Sequence, residues 1–231
     1  MWGADMNKTR FATPMIVSRS LLWGAAAALA AALSTHAGAA QMMAAACGDL
    51  KPPGQVGPFD YRSIPADSKY LVETAHFPAK VENLQAGNSS SIGGDIDYTL
   101  RAIPNHPRAL LSMTRLVVRT RTERPPGMRF QAECYFERAS RLAPDDPMPH
   151  VIYANYLKGH QRMADVKLQL AEAERLRGDP SSFDFDYNLG LLYTDVGDFD
   201  RASVAAKRAY ALGAPLPGLM KRLKVAGKWQ E

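Results

Sequence analysis

Three alanines set the frame of this chain. Ala139 in "QAECYFERASRLAP", Ala173 in "ADVKLQLAEAERLRGDP" and Ala209 in "DRASVAAKRAYALGAP" follow one another at intervals of 34 and 36 positions. Each lies in a helix-spaced apolar pattern that ends near a proline, Pro144, Pro180 and Pro215 in turn. A period near 34 built of paired helices signals stacked supersecondary units, because a lone helical hairpin leaves an apolar face that only a neighbour can cover. Small residues belong where the two helices of a hairpin cross, and large apolar ones fill the gaps between hairpins.

The clearest unit is "YNLGLLYTDVGDFDRA", Tyr187 to Ala202. Leu189, Tyr193 and Phe199 act as fillers, Gly190 and Ala202 as points of close approach, and Gly197 permits the turn. One unit earlier, Tyr153, Ala154, Leu157, Met163 and Val166 occupy the same slots with weaker residue choices, and "SSFDFD" (181–186) supplies extra linker. The first unit is interrupted. Its leading helix runs from Asn105 as N-cap to about Arg121, and its second helix comes late, after "RTERPPG". A short helix from Asp95 to Ile103 precedes it, with Gly93 and Gly94 read as a turn. "PLPGLMKRLKVAGKW" makes a C-terminal capping helix for the last apolar face.

The pattern Leu189-Gly190-x-x-Tyr193…Gly197-x-Phe199-x-x-Ala202…Ala209 resembles the tetratricopeptide repeat (TPR) family, over about residues 92–228. "CGDL", "FDYRS", "GGDIDYTLRAIPNHPRAL", "ECYFERA" and "AYALGAPLPGL" are also similar to a group of exported bacterial repeat proteins of unassigned role. The expected fold is all-α: a short TPR-like helical-hairpin solenoid with an irregular N-terminal lead-in. Its parts are a half-repeat at 92–104, degenerate repeats at 105–146, 147–180 and 181–215, and the cap at 216–231.

The N-terminus has a different character. "LLWGAAAALAAAL" (Leu21 to Leu33) is an uncharged run behind Lys8, Arg10 and Arg19, with Ala37 and Ala39 in a small-x-small pattern. These are the parts of a cleaved secretory signal over residues 1–39, and the run is short of the roughly 20 apolar residues of a membrane span. A retained anchor helix is the alternative. Removing that segment lowers the net charge from +5 to about +3, too mild to argue for nucleic acid or a membrane surface. Residues 40–91 form the lead-in, rich in proline and glycine at first, then with helix-spaced residues broken at Pro78. Periplasmic or secreted placement follows.

In an exported chain, the two cysteines Cys47 and Cys134 point to a disulfide. Two alternatives stand beside it: acylation of Cys47, since "AAAC" is similar to a lipoprotein signal except for Ala44 where leucine is usual, and two free buried thiols.

The resemblance implies a partner protein or peptide held on the concave face lined by the first helix of each repeat. The inward positions are Val151, Asn155 and Lys158, then Asn188, Leu191 and Asp195. Chaperone-binding members grip a terminal carboxylate with asparagines and basic residues. Asn155 and Asn188 match the asparagines and Arg222 a basic position, whereas Val151 and Gly218 stand where lysines would be. A basic cluster, Arg115, Arg119, Arg121, Arg124 and Arg129, surrounds the insertion and reads as a docking surface or a solvated helix end. "SSSIGGDIDY" lacks the Lys-Ser/Thr ending of a phosphate loop. The histidines (His36, His76, His106, His150, His160) show no metal spacing, and His106 and His150, near helix starts, are expected at the surface. No cofactor and no nucleophile–base–orienter set is visible. The expected function is an interaction scaffold, with an envelope structural subunit as alternative and a small hydrolase as remote alternative. Nothing in the sequence addresses the oligomeric state.

Overall fold

The computed structural model describes residues 46–178 and 182–229, so the expected signal segment 1–39 lies outside the described residues. Within them are ten helices and no strand. The helices are α1 (Ala66–His76), α2 (Ala79–Glu82), α3 (Ile92–Ala102), α4 (Pro107–Thr120) and α5 (Ala132–Leu142). They continue with α6 (Met148–Gly159), α7 (Met163–Arg175), α8 (Phe183–Asp195), α9 (Phe199–Ala211) and α10 (Gly218–Val225). None of these is long and apolar enough to cross a membrane.

The helices pack as consecutive hairpins: α6 on α7, α8 on α9, and α4 more loosely on α5. The leading helices form a row of their own, α4 against α6, α6 against α8, and α8 against α10. Small residues sit where the spacing puts them. Ala139, Ala154, Ala173, Ala202, Ala206 and Ala209 are fully buried in one continuous core with Phe136, Leu157, Leu170, Leu189 and Tyr193. At Gly190 a Cβ would lie 2.6 Å from Leu219 Cδ2, so this glycine lets α10 close over α8. Leu219 and Leu223 of α10 complete that core.

Several expectations need correcting. The α4 N-cap is His106, whose side chain accepts from the Ala109 N–H, with Pro107 in the first turn; Asn105 is one residue too early. Helix α3 starts at Ile92, three residues before Asp95. Gly93 and Gly94 are therefore helical, with the Ser91 hydroxyl accepting from Gly94 N. Likewise 183–186 is no linker: Ser182 accepts from Phe185 N and starts α8 there.

The lead-in is irregular up to α1 but firmly tied down. Phe59 N donates to Ala102 O at 2.8 Å, and Tyr61 N to Asn105 Oδ1 at 2.8 Å. Phe59, Tyr61 and Ile64 pack with Val72 and Ile103 in a second, small cluster. Cys47 and Cys134 form a disulfide. Its Cys47 Sγ is the atom that a lipid thioether would need, which rules against both acylation and free thiols in this form. One turn along α5, fully buried Arg138 donates to Cys47 O at 3.0 Å and Asp49 O at 2.9 Å. The Arg138 guanidinium lies over the Phe130 ring.

Candidate functional site

The leading helices expose one side, and their spacing decides what lies there. On α6, Val151, Asn155 and Lys158 fall at i, i+4 and i+7; on α8, Asn188, Leu191 and Asp195 fall at i, i+3 and i+7. Both sets form a single helical face. The two faces meet at one open cavity of about 400 Å³, and Arg222 of α10 completes its wall. The six inward positions read from the sequence all line this groove, together with Arg222.

The floor is apolar, with Val151, Ile152 and Leu192 buried and Leu191 half-buried. Asn155 and Asn188 stand exposed above it. Asn188 Nδ2 donates to Asp184 O at 2.8 Å, which fixes the amide and leaves Oδ1 as an acceptor. The Asn155 side chain has no hydrogen-bond partner among the described residues. At one end Asp195 receives two cations: Lys158 Nζ donates to Oδ2 at 2.6 Å, and Arg222 donates to Oδ1. Burial opposes the Asp195 charge, but the hydrogen bonds from Lys158 and Arg222 outweigh it and hold the carboxyl below its ordinary range. One carboxylate thus joins α6, α8 and α10 across the groove. Two cations on one anion leave the end of the groove positive.

Pro107, Arg108 and Leu111 of α4, and Met148 of α6, also line the cavity and were not anticipated. The interruption of the first repeat hides the α4 register; an i, i+3, i+4 count from Arg108 would have carried Leu111 onto the same face. Arg108 reaches out of the groove to Glu82 at 3.0 Å and Glu73 at 3.3 Å.

The five arginines of the basic cluster do not form one surface. Arg115 and Arg119 fold onto the C-terminal end of α2, donating to Glu82 O at 3.2 Å and Leu84 O at 2.5 Å. Arg121 closes α4 in a left-handed conformation. Arg124 and Arg129 lie in the insertion, where the Arg129 N–H donates to Asp97 Oδ1 at 3.0 Å. Gly94 and its neighbours form a capped helix start, not an anion loop.

His106 is the clear departure among the histidines: it is fully buried instead of exposed. Its Nδ1 accepts from Ala109 N at 3.3 Å, so its Nε2 carries the proton donated to Glu73 Oε1 at 2.9 Å. Burial pushes its pKa down to about 4 against the pull of Glu73, and the ring is neutral at pH 7. His76 Nδ1 lies 3.0 Å from buried Asp95 Oδ1, and its ring stacks on Tyr98. Among the described residues no group of three or more His, Cys, Asp or Glu side chains could hold a metal ion.

No protein-family model matches the chain, and no curated protein or solved structure gives a significant match.

Proposed function

We propose that this chain is an exported TPR-like helical-hairpin solenoid that holds an extended segment of a partner protein in the groove of its leading helices. One observation carries the proposal. The six residues that the repeat register puts on the inner face, Val151 to Lys158 on α6 and Asn188 to Asp195 on α8, share one cavity with Arg222 of α10, with an apolar floor and a polar rim. Such a lining suits a peptide: a few buried apolar anchors supply most of the binding energy, and fixed amides and charges set its orientation. The Cys47–Cys134 disulfide fits an oxidising compartment and so supports the reading of a protein that works in the periplasm or outside the cell.

Affinity capture from a periplasmic extract tests the groove. The double variant Asn188→Ala, Leu191→Asp alters two lining side chains that are exposed or half-buried, so its helical content and melting temperature should stay close to those of the parent. It should lose the captured partner at least tenfold, because one buried apolar anchor is worth more than about 1.4 kcal/mol. If every partner were retained, the groove would not be the binding surface.

A further inference from the structure

The groove continues past Asn155. That residue also lines a second cavity of about 470 Å³, bounded by α4, the first residues of the insertion and the C-terminal end of α6. Its wall includes Val118, an apolar side chain left 73% exposed.

The charges of this second cavity are unbalanced. Its one carboxylate, Glu123, is occupied: the Tyr156 hydroxyl donates to Oε2, and His160 Nε2 lies 3.0 Å from Oε1. The His160 Nδ1 meets Tyr156 O at 2.9 Å. With an acceptor on each ring nitrogen the geometry suits an imidazolium, which balances Glu123 from within. Two guanidiniums share the wall. Arg115 donates to a carbonyl and to the Ser112 hydroxyl, neither of them charged. Arg121 has no side-chain partner among the described residues. The cavity therefore sets two uncompensated cations beside an uncovered apolar side chain, and it shares Asn155 with the groove.

We infer that this cavity is a second subsite of the groove and takes an acidic side chain of the partner segment, next to an apolar one seated on Val118. The inference rests on the groove reading above. In an extended segment neighbouring side chains point to opposite faces, and i, i+2 pairs share one face. A segment whose apolar residues sit on the groove floor can thus bring a glutamate or aspartate to Arg121 as it passes Asn155. A guanidinium favours a carboxylate through paired, charge-assisted hydrogen bonds. The acid is a side chain within the segment, so a free C-terminus plays no part.

The test is selection from a library of random twelve-residue segments displayed inside a host protein loop, without free termini. Segments recovered on the parent protein should be enriched in Asp or Glu two positions from an apolar residue. Changing that acid to its amide in a recovered segment should weaken binding about tenfold, the scale of one solvated charge-assisted contact. Arg121→Gln should remove that difference. Arg124→Gln, an equal loss of charge in the same loop at a residue that does not line the cavity, should keep it. If acid and amide segments bind alike while Leu191→Asp abolishes both, the subsite is refuted and the groove stands. If the parent recovers no segment, the groove reading fails and the subsite with it.

Discussion

At the scale of single residues, the buried imidazole of His106 links the fold to pH. Its neutral form caps α4 through Nδ1 and holds Glu73 of α1 through Nε2. In the unfolded chain the same ring titrates near 6.5, and in the folded protein only near 4. Between those values the unfolded state binds the extra proton, so stability is complete above about pH 6.5 and is lost as the pH falls toward 4. The full difference is on the order of 3 kcal/mol. Urea titrations at pH 7, 5.5 and 4.5 should show this decline. His106→Asn keeps a capping oxygen without a titrating group, so it should flatten the decline in that window even where it lowers stability overall. An unchanged slope in the variant would place the pH dependence elsewhere. Sequence could not announce this histidine. Asn105 and His106 can both cap a helix, and the choice falls to tertiary partners: Tyr61 N, Asp60 and Asp146 all bind the Asn105 amide, leaving the cap to its neighbour.

At the scale of elements, the insertion between α4 and α5 is held by α3 through close contact and one carboxylate. Asp97 Oδ1 accepts from the Tyr135 hydroxyl at 2.5 Å and from Arg129 N at 3.0 Å, while Oδ2 accepts from Arg101 Nε at 2.8 Å. Gly93 is the point of closest approach. A Cβ there would sit 2.2 Å from Pro126 O, a backbone atom that cannot turn aside. Gly93→Ala gains about 1 kcal/mol of helix propensity but forces that loop to move, for a net cost of about 1–2 kcal/mol in thermal or urea unfolding. A neutral substitution would show that the loop yields freely. The periodic part of the chain was legible for a plain reason. In α6 and α8 the helical period and the position of small residues agree, so the inward row from Val151 to Asp195 could be counted out. Gly93 and Gly94 misled because glycine ordinarily marks a turn; here the missing side chain of Gly93 serves a contact that lies 33 residues further along the chain, and that of Gly94 leaves room for Ser90. Arg108 and Leu111 were missed because the interrupted first hairpin offers no period to extend.

At the scale of the whole molecule, the row of leading helices ends in α10, and the lead-in is fastened to the other side of the chain by two neighbouring residues of α5. Cys134 holds Cys47 covalently, and Arg138 gathers the carbonyls that follow it. Among the described residues the guanidinium bonds to no carboxylate, only to carbonyls beside the Phe130 ring, and its Nε is buried without a partner. Burial accordingly lowers its pKa from the ordinary arginine value. Such a charge stays favourable only while the carbonyls of residues 47–49 remain around it. The disulfide keeps them there and closes an interval of 87 positions, for which loss of unfolded-chain entropy corresponds to about 4–5 kcal/mol. Reduction should therefore lower the unfolding free energy by several kcal/mol and release the lead-in before the hairpins melt. Hydrogen exchange would rise at residues 47–57 first, while the core of α6 to α9 would remain protected. Arg138→Met in the oxidised protein separates the two fasteners. It leaves the loop closed but the carbonyls of Cys47 and Asp49 without donors, so local exchange should quicken there at a cost of about 1–3 kcal/mol. If reduction instead unfolded lead-in and hairpins together, the lead-in would belong to the same cooperative unit as the groove, and the groove could bind a partner only in an oxidising compartment.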